Sequence, residues 1–172
     1  MSIGWETAPA VEVLDRFGAR PRVVAVRPGS DPAFAAVLDL RRRVFDHEQG
    51  LIDQGVTDRD EERSLTALAS LPALGTLYPA LVPVGTGRLT LAFGERGEAL
   101  ITWVATDPAV RRQGVGRAVM RFLLEAADAG RAPRVVLAAQ AHAEGFYRRL
   151  GFVPAGEPYQ VRGIGHRWMA RG

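Results

Sequence analysis

Arg111-Arg112-Gln113-Gly114-Val115-Gly116-Arg117 is the stretch that decides the fold of this chain. It follows an apolar run at residues 100–106, which predicts a strand, and it leads into a segment with helical hydrophobic spacing. A glycine loop at a helix N-terminus binds anions, because its N–H groups point at the ligand and the helix dipole adds positive charge. The glycines let the backbone approach closely, and the arginines neutralise further charge. The stretch therefore predicts a pyrophosphate site and a nucleotide-like cofactor.

The spacing of the glycines excludes two common nucleotide loops. A Walker loop needs a lysine after its glycines, and the chain contains no lysine at all. A dinucleotide fingerprint needs a third glycine or alanine, and this chain has Val119 at that position. The fingerprint glycines also follow the strand directly, whereas residues 107–110 intervene here. The pattern that remains is Arg111-x-x-Gly114-x-Gly116, which resembles the acetyl-CoA loop of the GNAT N-acetyltransferase superfamily.

A second motif farther along the chain supports this resemblance. Residues 137–140 have the composition of a strand end, and they precede Ala143-Glu144-Gly145-Phe146-Tyr147-Arg148-Arg149-Leu150-Gly151-Phe152. In the GNAT pattern a helix carries A-x-x-F/L-Y and closes with x-x-Gly-Phe, where the glycine ends the helix and the phenylalanine opens the next strand. Both motifs occur here in the GNAT order.

Three further segments resemble the ElaA-like branch of these enzymes. They are Leu40-Arg41-Arg42-Arg43-Val44-Phe45-Asp46-His47-Glu48-Gln49 (R-x-x-V-F-x-x-E-Q), Gly85-Thr86-Gly87-Arg88-Leu89 (G-T-x-R-L) and Gly163-Ile164-Gly165-His166-x-x-Met169 (G-I-x-H-x-x-M). The resemblance covers residues 22 to 170. The sequence differs from the branch pattern in the proline-rich connection 71–83 and in the acidic segment around Asp58 and Asp60. The resemblance therefore does not identify the acceptor substrate.

The resemblance implies which residues bind acetyl-CoA. Backbone groups of Val104 and Thr106 would hold the pantetheine beside the fourth strand, and one N–H would polarise the thioester carbonyl; alternatively these residues only belong to a core strand. Gln140 stands where the family often has an asparagine that contacts the pantetheine amides, although a surface or capping role fits it nearly as well. The residues expected to bind the pyrophosphate are Arg111, Arg112, Gln113, Gly114, Val115, Gly116 and Arg117.

Tyr147 is the expected general acid. A phenol has a pKa of about 10, close enough to that of a thiol to return a proton to the leaving sulfur. The alternative is a helix tyrosine that fills the core beside Phe146.

The amine end of the site is predicted from the placement of charge. Glu48 is the candidate for the base or for holding the amine, unless it only pairs with Arg41 or Arg43. Asp60 and His166 are candidate substrate contacts, and the histidine could act through water because its ordinary pKa lies near 6.5. A solvated loop acid and a satisfied strand histidine are the structural alternatives for these two residues.

A negative field near the amine is the second expectation from charge. Seven acids occur between residues 46 and 62, and they would attract a cationic acceptor. Arg88 is instead expected to pair with an acid inside the sheet rather than to bind substrate.

Composition limits the other function classes. The 172 residues suit one domain, and no apolar run approaches the roughly 20 residues of a membrane span. The absence of cysteine excludes a thiolate nucleophile and disulfides, and three scattered histidines predict no metal site. All 22 basic residues are arginine, yet no nucleic-acid recognition motif accompanies them. Because no signal segment is evident, a cytoplasmic protein is expected, as a monomer or homodimer.

Local patterns predict the elements of one α/β domain at residues 22–172, after a leader at residues 1–21 of uncertain structure. Residues 22–27, 65–71, 84–93, 99–106, 134–138, 152–160 and 164–170 are expected to form strands. Three helices are expected: one from an Asp31 cap and Pro32 to His47, one at residues 115–129 ended by Gly130, and one at residues 141–150. The resulting prediction is a GNAT fold with a mixed, mostly antiparallel sheet of six or seven strands and helices on both faces.

These observations together predict an acetyl-CoA-dependent N-acetyltransferase. Its acceptor would be a primary amine, either a small molecule or a peptide, and the amine would attack directly in a ternary complex because no cysteine can carry the acyl group. A non-catalytic acyl-CoA-binding or regulatory domain on the same fold is the alternative. An arginine-rich nucleic-acid binder is a third hypothesis, which predicts binding that weakens steeply with salt.

Overall fold

The computed structural model describes residues 20–29, 31–48 (side chains as far as residue 46), 55–73 and 81–172. Three of the predicted features lie wholly or mostly outside these residues: the leader 1–21, the middle of the connection 71–83, and the side chain of Glu48.

The described chain alternates strands and helices. The strands are β1 (Arg22–Val26), β2 (Leu65–Pro72), β3 (Leu81–Phe93), β4 (Glu98–Thr106), β5 (Val135–Gln140), β6 (Val153–Pro154), β7 (Tyr159–Val161) and β8 (Ile164–Arg171). The α-helices are α1 (Phe34–Arg41), α2 (Val115–Ala129) and α3 (Glu144–Arg148). A π-helical segment follows α1 (Arg42–Glu48), and short 3₁₀ turns precede α2 (Pro108–Val110) and α3 (Ala141–Ala143).

One mixed sheet contains all eight described strands. Its order is β1-β2-β3-β4-β5-β8-β6, with β7 paired to β8, and β4–β5 is its one parallel pair among the described residues. This arrangement confirms the predicted α/β class with a mostly antiparallel sheet. The strand count is higher than predicted because the expected strand 152–160 is split into β6 and β7. Gly156 and Pro158 lie in the break, and proline cannot donate a ladder hydrogen bond.

Helices pack on both faces of the sheet, as predicted. Ala67 and Ala69 of β2 pack in the core with α2, whereas Leu68 packs in a second cluster with α1. Successive strand residues point to opposite faces, so this alternation places α1 and α2 on opposite sides. Two glycines of β3 let α2 approach: a Cβ on Gly85 would lie 2.6 Å from Val115 Cγ1, and one on Gly87 would lie 2.9 Å from Leu123 Cδ1.

The first helical region differs from the continuous helix expected up to His47. Asp31 Oδ1 accepts from the N–H of Ala33 at 2.9 Å, but the residues it caps form a turn, and α1 begins only at Phe34. After Arg41 the chain widens into the π-helical segment. Such widened turns commonly occur at functional sites. Here the change brings Val44 and Phe45 to the cavity described below.

The parallel pair β4–β5 diverges partway along its length. Its pairing runs from Ala99 with Val135 to Ile101 with Leu137 and ends there. On its other edge β4 stays paired to β3 as far as Thr106, and β5 stays paired to β8 as far as Gln140. The strands therefore leave a V-shaped opening between residues 102–106 of β4 and 138–140 of β5.

Candidate active site

The opening between β4 and β5 continues into a cavity of about 890 Å³. The cavity unites most of the residues predicted to bind the donor. Those that line it are Val104, Thr106, Arg111, Arg112, Gln113, Gly114, Gly116, Arg117 and Gln140. Val115 is the exception, because its side chain is buried in the core between α2 and the sheet. Only the backbone of Val115 remains for the predicted contact.

The N-terminus of α2 has the features of an anion site. Gly114 holds a left-handed φ of 89°, and no side chain caps the helix. The first intrahelical hydrogen bond is donated by Ala118, so the N–H groups of residues 115–117 have no partner within the helix. No acidic residue lies in the first turn. This arrangement suits a bound anion, which would supply the negative charge that a helix N-terminus favours.

A β-bulge interrupts β4 beside the cavity. Thr86 of β3 pairs with Ala105 and Arg88 pairs with Thr102, so Gly87 alone faces the two residues Trp103 and Val104. Trp103 takes a left-handed φ of 55°, which L-residues other than glycine, asparagine and aspartate rarely adopt. Bulges re-aim side chains next to active sites. Thr102, Trp103 and Val104 all line the cavity.

Four charged residues pack beside this bulge: Arg41, Asp58, Glu61 and Arg88, hereafter the charge cluster. Arg88 donates to both carboxylate oxygens of Asp58 at 2.7 and 2.8 Å, and one of its nitrogens also donates to Glu61 at 2.7 Å. Arg41 donates to the same Glu61 oxygen at 2.6 Å. Arg88 therefore pairs with an acid as expected, although both of its partners come from the loop before β2 and not from the sheet. The hydrogen bond from Arg88 lowers the pKa of Asp58 to about 2.

Tyr147 lies in the cavity wall at the end of α3. Its ring centroid is 5.1 Å from that of Phe146 and 6.0 Å from that of Phe152, both in edge-on geometry. The residue is buried yet lines the cavity. Burial raises the pKa of its hydroxyl to about 12, because an apolar environment disfavours the phenolate. Tyr147 therefore stays protonated at any ordinary assay pH.

His166 lines the same cavity from β8, where it pairs with Gln140 of β5. Its Nδ1 lies 2.8 Å from the carbonyl oxygen of Ile164. A carbonyl only accepts, so Nδ1 carries the proton and Nε2 of the neutral ring keeps its lone pair. The ring stacks on Tyr159 with centroids 5.8 Å apart.

Among the described residues, no acid predicted to attract an amine lines the cavity. Asp58 is bound by Arg88, and Asp60 accepts from Arg63 at 2.7 Å, outside the cavity lining. The side chain of Glu48 lies outside the described residues. Within the described part of the chain, the charged side chains that line the cavity are all arginines. Glu48 and Asp60 as amine contacts remain predictions without support from this geometry.

Sequence reasoning missed part of the wall opposite the loop. Phe45 and Trp103 line it as an edge-on pair with centroids 5.3 Å apart. Phe45 stands in the R-x-x-V-F segment, which was a usable signal. Trp103 looked like an ordinary strand residue, because a bulge depends on strand register that one sequence does not reveal.

Among residues 20–29, 31–48, 55–73 and 81–172, no group of three or more histidine, cysteine or acidic residues is placed to hold a metal ion. None of the helices described is long and apolar enough to cross a membrane.

Comparison with known proteins identifies the family. A model of the GNAT acetyltransferase domain matches residues 83–171, which include the loop, Tyr147 and β8. The chain belongs to the GNAT acetyltransferase family, and it is a transferase.

Within the family, the chain is similar to ElaA. Protein ElaA of Escherichia coli K12 is 39% identical over 137 residues, which cover 79% of this chain and 85% of that protein. The crystal structure of Escherichia coli ElaA superposes with a TM-score of 0.74 and 27% identity, covering 88% of this chain and 99% of that one. An acyl-CoA N-acyltransferase from Pseudomonas aeruginosa gives a TM-score of 0.71 and 28% identity, covering 88% and 99%. The predicted family, branch and fold class are confirmed.

Proposed function

We propose that this protein transfers the acetyl group of acetyl-CoA to a primary amine by direct attack in a ternary complex. The observation that carries the proposal is the V-shaped opening between β4 and β5, which runs from the anion loop at α2 to Tyr147. One cavity thus joins a site suited to a pyrophosphate with a group suited to protonate a thiolate.

The residues present fit the donor. The α2 loop offers unpaired N–H groups and three arginines for the pyrophosphate. A Cβ on Gly116 would make ordinary contacts with Thr106 Oγ1 at 3.4 Å and Phe146 at 3.5 Å, so these two side chains border the loop at this point. Residues 104–106 would pair with the pantetheine amides along the open edge of β4, and Gln140 would contact them from β5.

The chemistry assigns a proton donor to the leaving sulfur. Bound acetyl-CoA supplies a thioester carbonyl for the amine nitrogen to attack, which forms a C–N bond and breaks the C–S bond. Tyr147 would donate its hydroxyl proton to the departing sulfur. Burial raises the pKa of Tyr147, which makes the phenol a weaker acid, but the same apolar surroundings would also disfavour a thiolate and so make the sulfur a stronger proton acceptor. The two shifts run in the same direction, so the phenol stays matched to the thiol it would protonate.

A base must remove the proton of the ammonium group. Glu48 is the proposed base from the sequence, and His166 is placed in the cavity with Nε2 able to accept. The base would pass this first proton to solvent. After attack the nitrogen loses a second proton, which would return through solvent to the Tyr147 phenolate and restore its hydroxyl. Since the chain has no cysteine, the acyl group has no thiol on the protein to occupy, which favours direct attack.

The proposal is tested by a screen for the acceptor. Thermal shift of the full chain is measured with acetyl-CoA and a panel of primary amines, and free thiol release is then measured for each amine that stabilises the protein. The proposal expects amine-dependent release of CoA and an acetylated product. Binding of CoA without turnover on any amine would support the non-catalytic acyl-CoA-binding alternative instead.

A further inference from the structure

The charge cluster occupies an unusual position for four ionised groups. Arg41 and Arg88 are almost fully buried, and Glu61 is buried beside them. Asp58 is more exposed, with 41% of its side chain accessible, and it balances the second arginine, since a buried charge needs a partner. They come from α1, from the loop before β2, and from β3, so three separate segments meet at this point.

Three contacts connect the cluster to the bulge of β4. Arg88 Nε donates to Thr102 Oγ1 at 3.1 Å. The indole N–H of Trp103 donates to Asp58 Oδ2 at 3.3 Å. The guanidinium carbon of Arg41 lies 5.1 Å from the centroid of the Trp103 ring, within cation–π distance.

These contacts also explain why two nitrogens of Arg41 can be buried without hydrogen bonds. Arg41 Nε and Nη2 are buried without a hydrogen-bond partner. The ring of Trp103 stands beside this guanidinium, and an aromatic face attracts a cation that lacks oxygen partners. The Trp103 ring therefore helps to stabilise the buried guanidinium of Arg41. In turn, Arg41 and Asp58 restrain the side chain of Trp103.

Stability alone gives a weak reason for this arrangement. Apolar residues of similar volume often replace buried ion pairs without loss of stability. The ion pairs instead fix the orientation of side chains, because Arg88 donates to both carboxylate oxygens of Asp58 and so restrains both residues. The backbone they border is strained at Trp103, and strained backbone persists only where its surroundings hold it.

We propose that the charge cluster positions the Trp103–Val104 bulge of β4, so that the backbone after Trp103 meets the thioester during acyl transfer. The four residues act through the bulge and touch neither donor nor amine. This inference deepens the proposed function and rests on it. It also assigns a role to the branch motifs, because Arg41 and Arg88 belong to two of them.

The rival role for these acids is contact with the amine. Both oxygens of Asp58 are already bound by Arg88, and Asp58 does not line the cavity. Glu61 is buried under two arginines. A positioning role predicts a fall in kcat, whereas amine contact predicts a rise in the KM for the amine.

The test uses Asp58→Asn, Trp103→Phe and the double variant. Asp58 is partly exposed, so the isosteric amide should fold, and Trp103→Phe keeps a ring while it removes the indole N–H. We expect each single variant to lower kcat by about tenfold or more, as small misplacements at reacting atoms do. The amine KM and the calorimetric affinity for CoA should stay unchanged. Because both changes act through one contact, the double variant should be no slower than the slower single variant.

Controls separate this inference from the proposed function. Asp39→Asn removes an exposed partner of Arg43 and should leave kcat unchanged. Trp103 fluorescence, obtained by subtracting the Trp103→Phe spectrum within each background, reports the bulge without any turnover. It should shift in Asp58→Asn. An unshifted spectrum, multiplicative effects on kcat, or a change confined to amine KM would overturn the inference. A wild-type protein inactive on every amine would instead refute the proposed function, while the fluorescence result still decides whether the cluster holds the bulge.

Discussion

The two ends of the cavity are built in different ways. The pyrophosphate end comes from one continuous stretch, residues 111–117, and depends on glycines and backbone N–H groups. The opposite end is assembled from the π-helical segment, the β4 bulge and β8, which lie far apart in the sequence. Side chains of the charge cluster contact Thr102 and Trp103 at this end. We therefore expect changes at the loop to affect donor binding and changes at the opposite end to affect turnover.

Removing the Tyr147 hydroxyl should give the largest fall in kcat. It should also distinguish most clearly between an effect on turnover and an effect on donor binding. Tyr147→Phe keeps the packed ring but removes the proton donor. Loss of a general acid typically costs on the order of 10²–10⁴-fold in kcat. The affinity for CoA, measured by calorimetry, should not change. A wild-type rate in this variant would mean that water or another group protonates the sulfur.

Exchange of the two candidate bases should give a smaller effect. Glu48→Gln and His166→Gln are compared in pH–rate profiles with the best amine from the screen. The variant that lacks the base should be slower by on the order of tenfold near neutral pH, and high pH should restore it because the amine then loses its proton unaided. Full activity of Glu48→Gln at every pH would remove Glu48 from the mechanism, and the same outcome for His166→Gln would remove His166.

A larger side chain between α2 and β3 tests whether the fold depends on the close packing of this helix against the sheet. In Gly87→Ala the new Cβ would lie 2.9 Å from side-chain atoms of both Leu123 and Val119. Overpacking of this kind typically costs about 1–3 kcal/mol in the free energy of unfolding. Denaturant unfolding should show that loss. Gly156→Ala is the control, because its nearest neighbour would be 3.9 Å away, and equal stability of the two variants would contradict the close packing.

Acid unfolding tests the ion pairs at the opposite end and should show the smallest effect. The pKa of Asp58 is lowered to about 2, against about 3.9 in an unfolded chain. Its stabilising contribution is therefore complete above about pH 4 and is lost as the pH falls towards 2. The contribution is modest because the side chain is partly exposed to solvent. Asp58→Asn should make the decline between pH 4 and 2 shallower, and an unchanged decline would show that the Arg88 contact does not stabilise the fold.

The loop end could be predicted from the sequence because its information is local. A glycine pattern between an apolar run and a helical segment identified the strand, the loop and α2, and the Phe146-Tyr147 motif identified α3. The boundaries of α2 agree with the prediction because its apolar spacing is regular and Gly130 ends it. Local chemistry was sufficient at each of these positions.

The opposite end could not be predicted because it depends on contacts between distant residues. The seven acids suggested a field that attracts cations, yet Asp58 and Glu61 are neutralised by Arg88 and Arg41. A sequence shows where charges stand but not which of them pair. The same holds for the bulge at Trp103, which follows from the register between β3 and β4.

Calorimetric titration of CoA is the most direct test of whether the α2 loop binds the phosphates of CoA. Gly114→Asp places a negative side chain at the helix N-terminus, where backbone N–H groups would meet the pyrophosphate. Gly97→Asp is the matched control, because Gly97 also has a left-handed φ and lies in the β3–β4 hairpin outside the cavity lining. We expect Gly114→Asp to abolish or strongly weaken CoA binding, whereas Gly97→Asp should bind CoA like the wild type. Unchanged CoA affinity in a folded Gly114→Asp protein would contradict this expectation.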